Sequence, residues 1–169
     1  MGCGHGLFIN LLARNPAHRT LRLRGIDHDT SKIDIARQCA PAGVDFSTSG
    51  LREVEAGSCD VVTLVDVLYT IKREIWPEIL AGCFRVLRPG GLLLLKEVVD
   101  RPRWKYWAIM AQESLAVRVF GYTKGEAPHF ESPAYYCRAL EQAGFTVQQA
   151  QAMPSGSWVS HYLFLAKKT

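Results

Sequence analysis

The chain lacks the cysteine pattern of a disulfide framework or a zinc site. Its 169 residues include 5 cysteines, which are widely spaced and never form a C-x-x-C pair. Small disulfide-stabilised folds and structural zinc sites depend on paired, closely spaced cysteines. We therefore expect reduced thiols with structural roles, and no metal site.

Long apolar runs and clusters of basic residues are also missing. Apolar stretches such as 92–95 and 162–166 are far shorter than the roughly 20 residues that a membrane-spanning helix needs. The formal net charge is +4, and the basic residues are spread along the chain. We expect no transmembrane segment and no nucleic-acid partner. Because the N-terminus has no secretory signal, a cytoplasmic protein is predicted.

Glycine, by contrast, is concentrated at the start of the chain, in the sequence GCGHG at residues 2–6. Closely spaced glycines allow positive φ angles and a close approach of the backbone to a ligand. The helix expected from Leu7 to about Arg14 would add unpaired N–H groups at its N-terminus. The pattern predicts a site for a nucleotide-like cofactor. Such a loop normally follows a strand, so a preceding strand is expected to be missing.

Predicted strands and helices alternate through the first hundred residues. Apolar patterns predict strands at 21–26, 44–46, 59–67 and 92–99, and helices at 32–39 and 74–87. Thr30 or Ser31 is the expected cap of the first of these helices, and residues 88–91 should end the second sharply. This alternation is typical of a parallel α/β sheet.

The last third of the chain has a different pattern. Apolar and aromatic residues recur at helical spacing over 104–120, and another helix is predicted at 133–143. Alternating residues then predict two antiparallel strands, 146–153 and 161–167, joined through 154–156. We expect a single domain over 1–169, with an aromatic-rich lid or insertion at about 101–130.

Four motifs in this order resemble those of the class I S-adenosylmethionine-dependent methyltransferases. They are GCGHG at 2–6, GIDHD at 25–29, SCDVVTLVDVLYTI at 58–71 and RVLRPGGLLLLKEV at 85–98. The resemblance implies a Rossmann-like methyltransferase fold: a mostly parallel twisted sheet, with strand order 3-2-1-4-5-7-6 and a C-terminal antiparallel hairpin. The family's first central strand and preceding helix have no counterpart here, so an N-terminally truncated domain is expected.

The resemblance also implies S-adenosylmethionine as the cofactor and assigns residues to it. Asp27 would accept hydrogen bonds from the ribose hydroxyls, with His28 beside it, and Gly2, Cys3 and Gly4 would run beneath the cofactor. The family often has an Asp near the adenine, whereas this chain offers Ser49, Gly50 and Leu51. Val65 and Asp66 would contact the methionine portion and the substrate. A surface carboxylate at Asp27, an ordinary glycine turn and a helix cap at Asp66 are the alternatives.

Methyl transfer requires an aligned nucleophile and the exclusion of water, and it gains from a general base when the acceptor is a hydroxyl or an acidic carbon. The catalytic candidates are His129, Asp66 and Tyr69, with His161 and Glu97 as further bases. The chain lacks the Asn-Pro-Pro-Tyr type of motif seen in many enzymes that methylate amino groups. A small-molecule acceptor with an oxygen or carbon nucleophile is therefore favoured.

The acceptor's identity depends on the basic and aromatic stretch at 101–107. This stretch could stack on an aromatic or quinone-like acceptor, lie against a membrane surface to take a lipid, or pack as core and dimer surface. The oligomeric state is open. Two other functions also stay open: an NAD-dependent oxidoreductase, although GCGHG is not G-x-G-x-x-G, and a truncated, non-catalytic binding protein.

Overall fold

The computed structural model describes residues 1–99, 129–154 and 160–169, which divide into two compact units at 1–58 and 59–169. The predicted aromatic helix at 104–120 and most of the predicted lid at 101–130 lie outside the described residues, as do residues 155 and 156 of the predicted hairpin link. The single domain over 1–169 and the strand expected ahead of Gly2 stay predictions.

The first unit is a parallel two-stranded sheet with two helices. Its elements are α1 (Leu7–Arg14), β1 (Leu23–Ile26), α2 (Thr30–Gln38) and β2 (Val44–Ser47). Strands β1 and β2 run parallel, with Leu23 opposite Val44 and Ile26 opposite Ser47. The elements predicted for this part of the sequence are confirmed, with small differences at their ends.

The cap of α2 differs from the prediction. Asp29, and neither Thr30 nor Ser31, precedes the helix, and its Oδ1 accepts hydrogen bonds from the main-chain N–H groups of Ser31 at 3.0 Å and Lys32 at 3.3 Å. A carboxylate at this position satisfies N–H groups that the helix itself cannot pair. The helix therefore begins directly after the motif that contains Asp27.

Phe46 is the centre of the core of the first unit. Its ring packs with Ile9, Ile33 and Ala36. A Cβ atom at Gly25 would lie 2.4 Å from this ring, and one at Gly6 would lie 2.6 Å from it. Both distances are far below ordinary van der Waals contact. The ring of Phe46 therefore requires glycine at both positions.

In its described residues, 59–99, 129–154 and 160–169, the second unit has a mixed four-stranded sheet and two helices. Its elements are β3 (Cys59–Val65), α3 (Trp76–Val86), β4 (Leu87–Val98), α4 (Pro133–Gln142), β5 (Phe145–Ala152) and β6 (His161–Lys168). The strand order is β3-β4-β6-β5, in which β3 and β4 are parallel and β6 is antiparallel to both of its neighbours. The predicted C-terminal antiparallel hairpin is confirmed.

Three predicted boundaries in this unit are wrong. Strand β3 ends at Val65 because Asp66 has a left-handed φ of 56°. The predicted helix at 74–87 is divided into a 3₁₀ turn, Arg73–Ile75, followed by α3. Residues 88–91 do not separate a helix from a strand: they bulge out within β4, since Leu87 pairs with Cys59 and Leu92 pairs with Val61.

Aromatic rings join the helices of the second unit to its sheet. The buried ring of Trp76 on α3 stacks on Tyr136 of α4 with centroids 5.3 Å apart, and Tyr136 lies 5.5 Å from Phe164 of β6. The indole Nε1 of Trp76 donates a hydrogen bond to the carbonyl of Ile71 at 3.0 Å. Large aromatic side chains contribute both buried apolar area and preferred stacking geometry.

Lys168 holds the C-terminal end of α3. Its Nζ donates hydrogen bonds to the carbonyl oxygens of Phe84 and Leu87, each at 2.7 Å, and lies 4.6 Å from the centroid of the Phe84 ring. The last carbonyls of a helix have no partner within the helix and carry partial negative charge. The ammonium group of β6 supplies that partner.

No helix in the described part of the chain combines the length and the hydropathy that a membrane crossing requires.

Candidate functional site

The glycine loop has an unusual backbone in the first unit. Gly2, Gly4 and Gly6 have φ angles of 67°, 53° and 76°, so every second residue is left-handed. Gly6 is the residue before α1, and no side chain of the described residues caps that helix. The loop thus leads into a helix N-terminus whose first N–H groups have no side-chain acceptor, an arrangement that favours anionic or polar ligand groups.

Asp27 fastens this loop to the end of β1. Its Oδ2 accepts a hydrogen bond from the Gly4 N–H at 2.8 Å, its Oδ1 accepts one from the Asp29 N–H at 3.1 Å, and the residue is buried. Each carboxylate oxygen has more than one acceptor site, so capacity remains for ligand hydroxyls. A Cβ atom built at Gly4 meets nothing within 4 Å, so the space beside the loop is open.

Cys3 and His28 flank these two residues in different ways. The Cys3 N–H donates to the carbonyl of Ile26 at 3.1 Å, and burial raises the pKa of the Cys3 thiol, which keeps it protonated. The His28 side chain is almost fully exposed, with its Nδ1 3.5 Å from Oδ1 of Asp27. Cys3 therefore serves the packing of the loop, whereas His28 is free to contact a ligand.

The loop after β2 contains the residues predicted to lie near adenine. The hydroxyls of Ser47 and Ser49 are 2.6 Å apart, and the Gly50 N–H donates to Oε1 of Glu53 at 3.0 Å. Gly50 has an extended φ of −85°, and Leu51 begins the 3₁₀ turn Leu51–Glu53. The Gly50 N–H thus serves the turn itself.

In the second unit, Glu97 holds the turn that follows β3. Its Oε1 accepts hydrogen bonds from the main-chain N–H groups of Val67 at 3.1 Å and Leu68 at 2.8 Å, and its Oε2 accepts one from Tyr69 at 3.3 Å. The side chain is fully buried, and this burial raises the pKa of Glu97 to about 7. The sequence offered Glu97 only as a base. An acidic residue within a largely apolar strand, such as Glu97 in β4, indicates a buried side chain that accepts hydrogen bonds from the main chain.

Asp66 lies at the start of this turn, directly after Val65. Its Oδ2 pairs with the ammonium of Lys96, and its Oδ1 lies 3.5 Å from Nδ1 of His161. Burial lowers the pKa of His161, and the positive charge of Lys96 lowers it further. The following 3₁₀ turn, Leu68–Thr70, has Val67 as its N-cap and no side-chain cap. The helix-cap alternative for Asp66 is therefore wrong.

Tyr69 and His129 meet through the backbone. The His129 N–H donates to the carbonyl of Tyr69 at 2.8 Å, and the rings of Tyr69 and Phe130 stack with centroids 5.5 Å apart. Glu131, two residues after His129, forms an ion pair with Arg73, four residues after Tyr69. Within the described ranges, Nε2 of His129 is buried and has no hydrogen-bond partner. The structure thus groups the catalytic candidates as Tyr69 with His129, and Asp66 with His161.

Sequence reasoning missed Lys96 as a member of the second group. The register of the sheet brings Lys96 to this group. Val65 is opposite Lys96 across β3 and β4, and His161 is opposite Val98, two residues after Lys96 on β4. Within residues 1–99, 129–154 and 160–169, no group of three or more His, Cys, Asp or Glu is placed to hold a metal ion.

Residues 1–150 match a family described as a methyltransferase domain. A ubiquinone biosynthesis O-methyltransferase from Aeromonas salmonicida is 30% identical over 156 residues, which are 88% of this chain and 62% of that protein. A tRNA N(3)-methylcytidine methyltransferase from Schizosaccharomyces pombe is 26% identical over 106 residues, which are 57% of this chain and 34% of that protein. The chain thus spans less than two thirds of the length of either relative.

Solved structures show the same fold. A methyltransferase described as SAM-dependent from Methanosarcina mazei superposes with a TM-score of 0.74 at 18% identity, covering 99% of this chain and 89% of that chain. Human N-acetylserotonin methyltransferase, solved with SAM, gives a TM-score of 0.72 at 19% identity, covering 99% of this chain and 46% of that chain. The Rossmann-like methyltransferase fold expected from the sequence is confirmed.

Proposed function

This chain belongs to the methyltransferase-domain family, and from that premise we propose that it binds S-adenosylmethionine and transfers the methyl group to a small molecule with an oxygen or carbon nucleophile. The observation that carries the proposal is the hydrogen bond from the Gly4 N–H to Asp27. It joins a left-handed glycine loop to a carboxylate at the end of a strand, which is an arrangement suited to a nucleoside cofactor. The NAD-dependent alternative has no comparable support.

In this proposal the cofactor is held by the first unit. The carboxylate of Asp27 accepts from the ribose hydroxyls, with His28 beside it. Gly2, Cys3 and Gly4 supply backbone that a ligand can approach, because the space beside Gly4 is open. Gly50 and Leu51 are proposed to lie along the adenine. Bound S-adenosylmethionine supplies a methyl group on a positively charged sulfur, so no protein nucleophile is needed.

The acceptor is proposed to bind in the second unit, at the carboxyl ends of the parallel strands β3 and β4. Ligands of open α/β sheets bind at such strand ends. Val65 is the last residue of β3, and Asp66 follows it. Tyr69 lies in the next turn, and the His129 N–H donates to its carbonyl. We propose these residues as the acceptor site, with His129, Tyr69 and Asp66 as candidates for proton transfer.

An aromatic or quinone-like acceptor is favoured over a lipid. The ubiquinone biosynthesis O-methyltransferase relatives cover most of this chain, and the one from Aeromonas salmonicida covers 88% of it. Residues 101–130 are proposed as the lid over such an acceptor, in one domain with both units. Peripheral membrane contact by this segment and a cytoplasmic location stay predictions.

Transfer RNA is a second candidate acceptor. The Schizosaccharomyces pombe relative, a tRNA methyltransferase, matches 57% of this chain. The spread of basic residues along the sequence, without a run of them, favours the small molecule. Transfer of a labelled methyl group to total tRNA, compared with transfer to an extract of small molecules, distinguishes the two acceptors.

The cofactor proposal is tested by calorimetry with S-adenosylmethionine and, separately, with NAD. We expect saturable binding of S-adenosylmethionine and of its demethylated product, and no binding of NAD. Binding of NAD alone would point to the oxidoreductase. A folded chain that binds neither would support the non-catalytic binding protein and defeat the proposal.

A further inference from the structure

The turn that carries Asp66 has a strained backbone that its neighbours hold in place. Among the described residues, Asp66 is the non-glycine residue with a positive φ, at 56°. Aspartate tolerates this region better than most residues but still at some cost. The Asp66 N–H donates to the carbonyl of Lys96 at 2.9 Å, and Glu97 accepts the next three N–H groups. Strain maintained in this way is a frequent property of functional sites.

The strained turn places the Asp66 carboxylate beside His161. Oδ1 of Asp66 and Nδ1 of His161 are 3.5 Å apart, and within the described part of the chain both atoms are buried and have no ordinary hydrogen-bond partner. That separation is longer than a typical N–H···O bond, so a small adjustment would close it. Asp66 and His161 can therefore form a hydrogen bond without either atom giving up another partner among the described residues.

His161 itself is fixed by main-chain contacts on both sides. It pairs with Val98 across β4 and β6, and its carbonyl accepts a hydrogen bond from the Met153 N–H at 2.9 Å. A side chain on a strand is more precisely placed than one on a loop. The imidazole is a fifth exposed, so it retains access to a ligand.

The charges around His161 favour a neutral ring with its proton on Nδ1. Asp66 after β3 and Lys96 on β4 are the charged groups that act on it among the described residues, and Lys96 is already paired with Asp66. Burial and the charge of Lys96 lower the pKa of His161, so at neutral pH the ring is uncharged and carries a single N–H proton. A carboxylate facing Nδ1 selects the tautomer in which Nε2 is the acceptor.

We propose that His161 is the general base that deprotonates a hydroxyl acceptor through Nε2, with Asp66 as the residue that positions it. This inference rests on the proposed methyl transfer and narrows the acceptor to a hydroxyl compound. The acceptor oxygen forms a bond to the methyl carbon, the carbon–sulfur bond of the donor breaks with its electron pair on sulfur, and the hydroxyl proton moves to Nε2. Asp66 then stabilises the imidazolium.

The activity test uses a panel of mono- and dihydroxylated aromatic acids as probes, with S-adenosylmethionine as donor. We expect His161→Gln to lower kcat by roughly 100-fold or more while the Kd for S-adenosylmethionine is unchanged. His18→Gln, which removes an imidazole from the first unit, is the matched control and should keep full activity. If the full chain binds the donor but methylates no hydroxyl probe, or if His161→Gln keeps its kcat, the inference is overturned.

The pH profile separates a positioning role from a structural one. Asp66 raises the pKa of His161 and Lys96 lowers it. Asp66→Asn should therefore move the acidic limb of the kcat profile to lower pH, and Lys96→Met should move it to higher pH. A shift of the acidic limb in the same direction in both variants, or no shift in either, would contradict the assignment.

Nitrogen NMR of His161 tests the tautomer without any turnover. We expect Nδ1 to carry the proton in the wild type and to lose this preference in Asp66→Asn. A proton on Nε2 in the wild type would overturn the proposal. Failure of donor binding in calorimetry would instead reject the proposed function, so the two failures are distinguishable.

Discussion

The Gly4 N–H donates to Oδ2 of Asp27 at 2.8 Å, so one carboxylate fixes the glycine loop and also faces the space where the ribose is proposed to lie. Asp27→Ala removes this bond and the one from the Asp29 N–H, and it also removes the proposed hydrogen bonds to the ribose hydroxyls. Hydrogen bonds to charged groups contribute about 1.5–3 kcal/mol each. We expect the Kd for S-adenosylmethionine to rise at least tenfold in calorimetry.

Asp45→Asn is the control for this change. Asp45 lies on the neighbouring strand β2, but its carboxylate is more than half exposed and pairs with Arg24 at the surface. Exposed ion pairs contribute little, so cofactor binding should be unaffected. An unchanged Kd in Asp27→Ala would reject the ribose role.

Gly4→Ala tests whether the open space beside the loop is the binding space. The new Cβ meets nothing in the protein, so the cost to folding is the left-handed φ alone, about 1–2 kcal/mol. Binding should be reduced far more than stability. Gly43→Ala also places a side chain at a positive φ, 86° against 53° at Gly4, with the same open surroundings in the same unit. It should lose at least as much stability in thermal unfolding but bind the cofactor normally. Equal binding by the two variants would show that the Gly4 loop is only a turn.

Glu97 should make the protein less stable as the pH rises. Its folded pKa is about 7 against an ordinary value of 4.5, so the folded state binds the proton more tightly than the unfolded state. The resulting stability is fully present below pH 4.5 and is lost as the pH passes through 7. The difference corresponds to about 3 kcal/mol, at about 1.36 kcal/mol per pKa unit.

Urea unfolding of the wild type and Glu97→Gln between pH 4 and 8 measures this effect. The amide stays neutral, so the stability of the wild type should fall relative to that of Glu97→Gln as the pH rises. Glu55→Gln, at an exposed position in the first unit, should follow the wild type at every pH. Parallel curves for the wild type and Glu97→Gln would contradict the raised pKa.

Lys168→Met should destabilise the second unit. The change keeps the aliphatic stem but leaves the carbonyls of Phe84 and Leu87 without their ammonium donor. We expect the free energy of unfolding to fall by about 1–2 kcal/mol, measured by chemical denaturation. Lys167→Met alters the opposite face of the same strand and is the control. An equal loss in both variants would indicate a general charge effect.

The sequence predicted the fold well where apolar periodicity is continuous. Strands β1 to β6 and the helices that flank them were placed from alternation and turn residues, because a buried face constrains every second or every third to fourth residue. The boundaries failed where a single backbone angle decides the outcome. The left-handed Asp66 ends β3 early, and the bulge at 88–91 stays within β4 because Leu87 still pairs with Cys59.

The candidate site was predictable only in part. Asp27 and the glycine loop are encoded locally, by spacing, and the hydrogen bond between them agrees with that prediction. The grouping of Asp66, Lys96 and His161 depends on the register between strands far apart in the sequence. No local pattern gives that register. The same is true of Glu97, whose three N–H donors lie about 30 residues before it.

The packing of Phe46 restricts the order in which substitutions can accumulate. At Gly25 the nearest obstacles to a side chain are the ring of Phe46 and the sulfur of Cys3, whereas Gly6 also has a left-handed φ of 76°. A smaller residue at 46 would remove the closest contacts of an alanine at 25, where the Cys3 sulfur would still have to shift slightly, but an alanine at 6 would stay strained. We therefore expect that homologues with a side chain at 25 replaced the phenylalanine at 46 before they replaced the glycine.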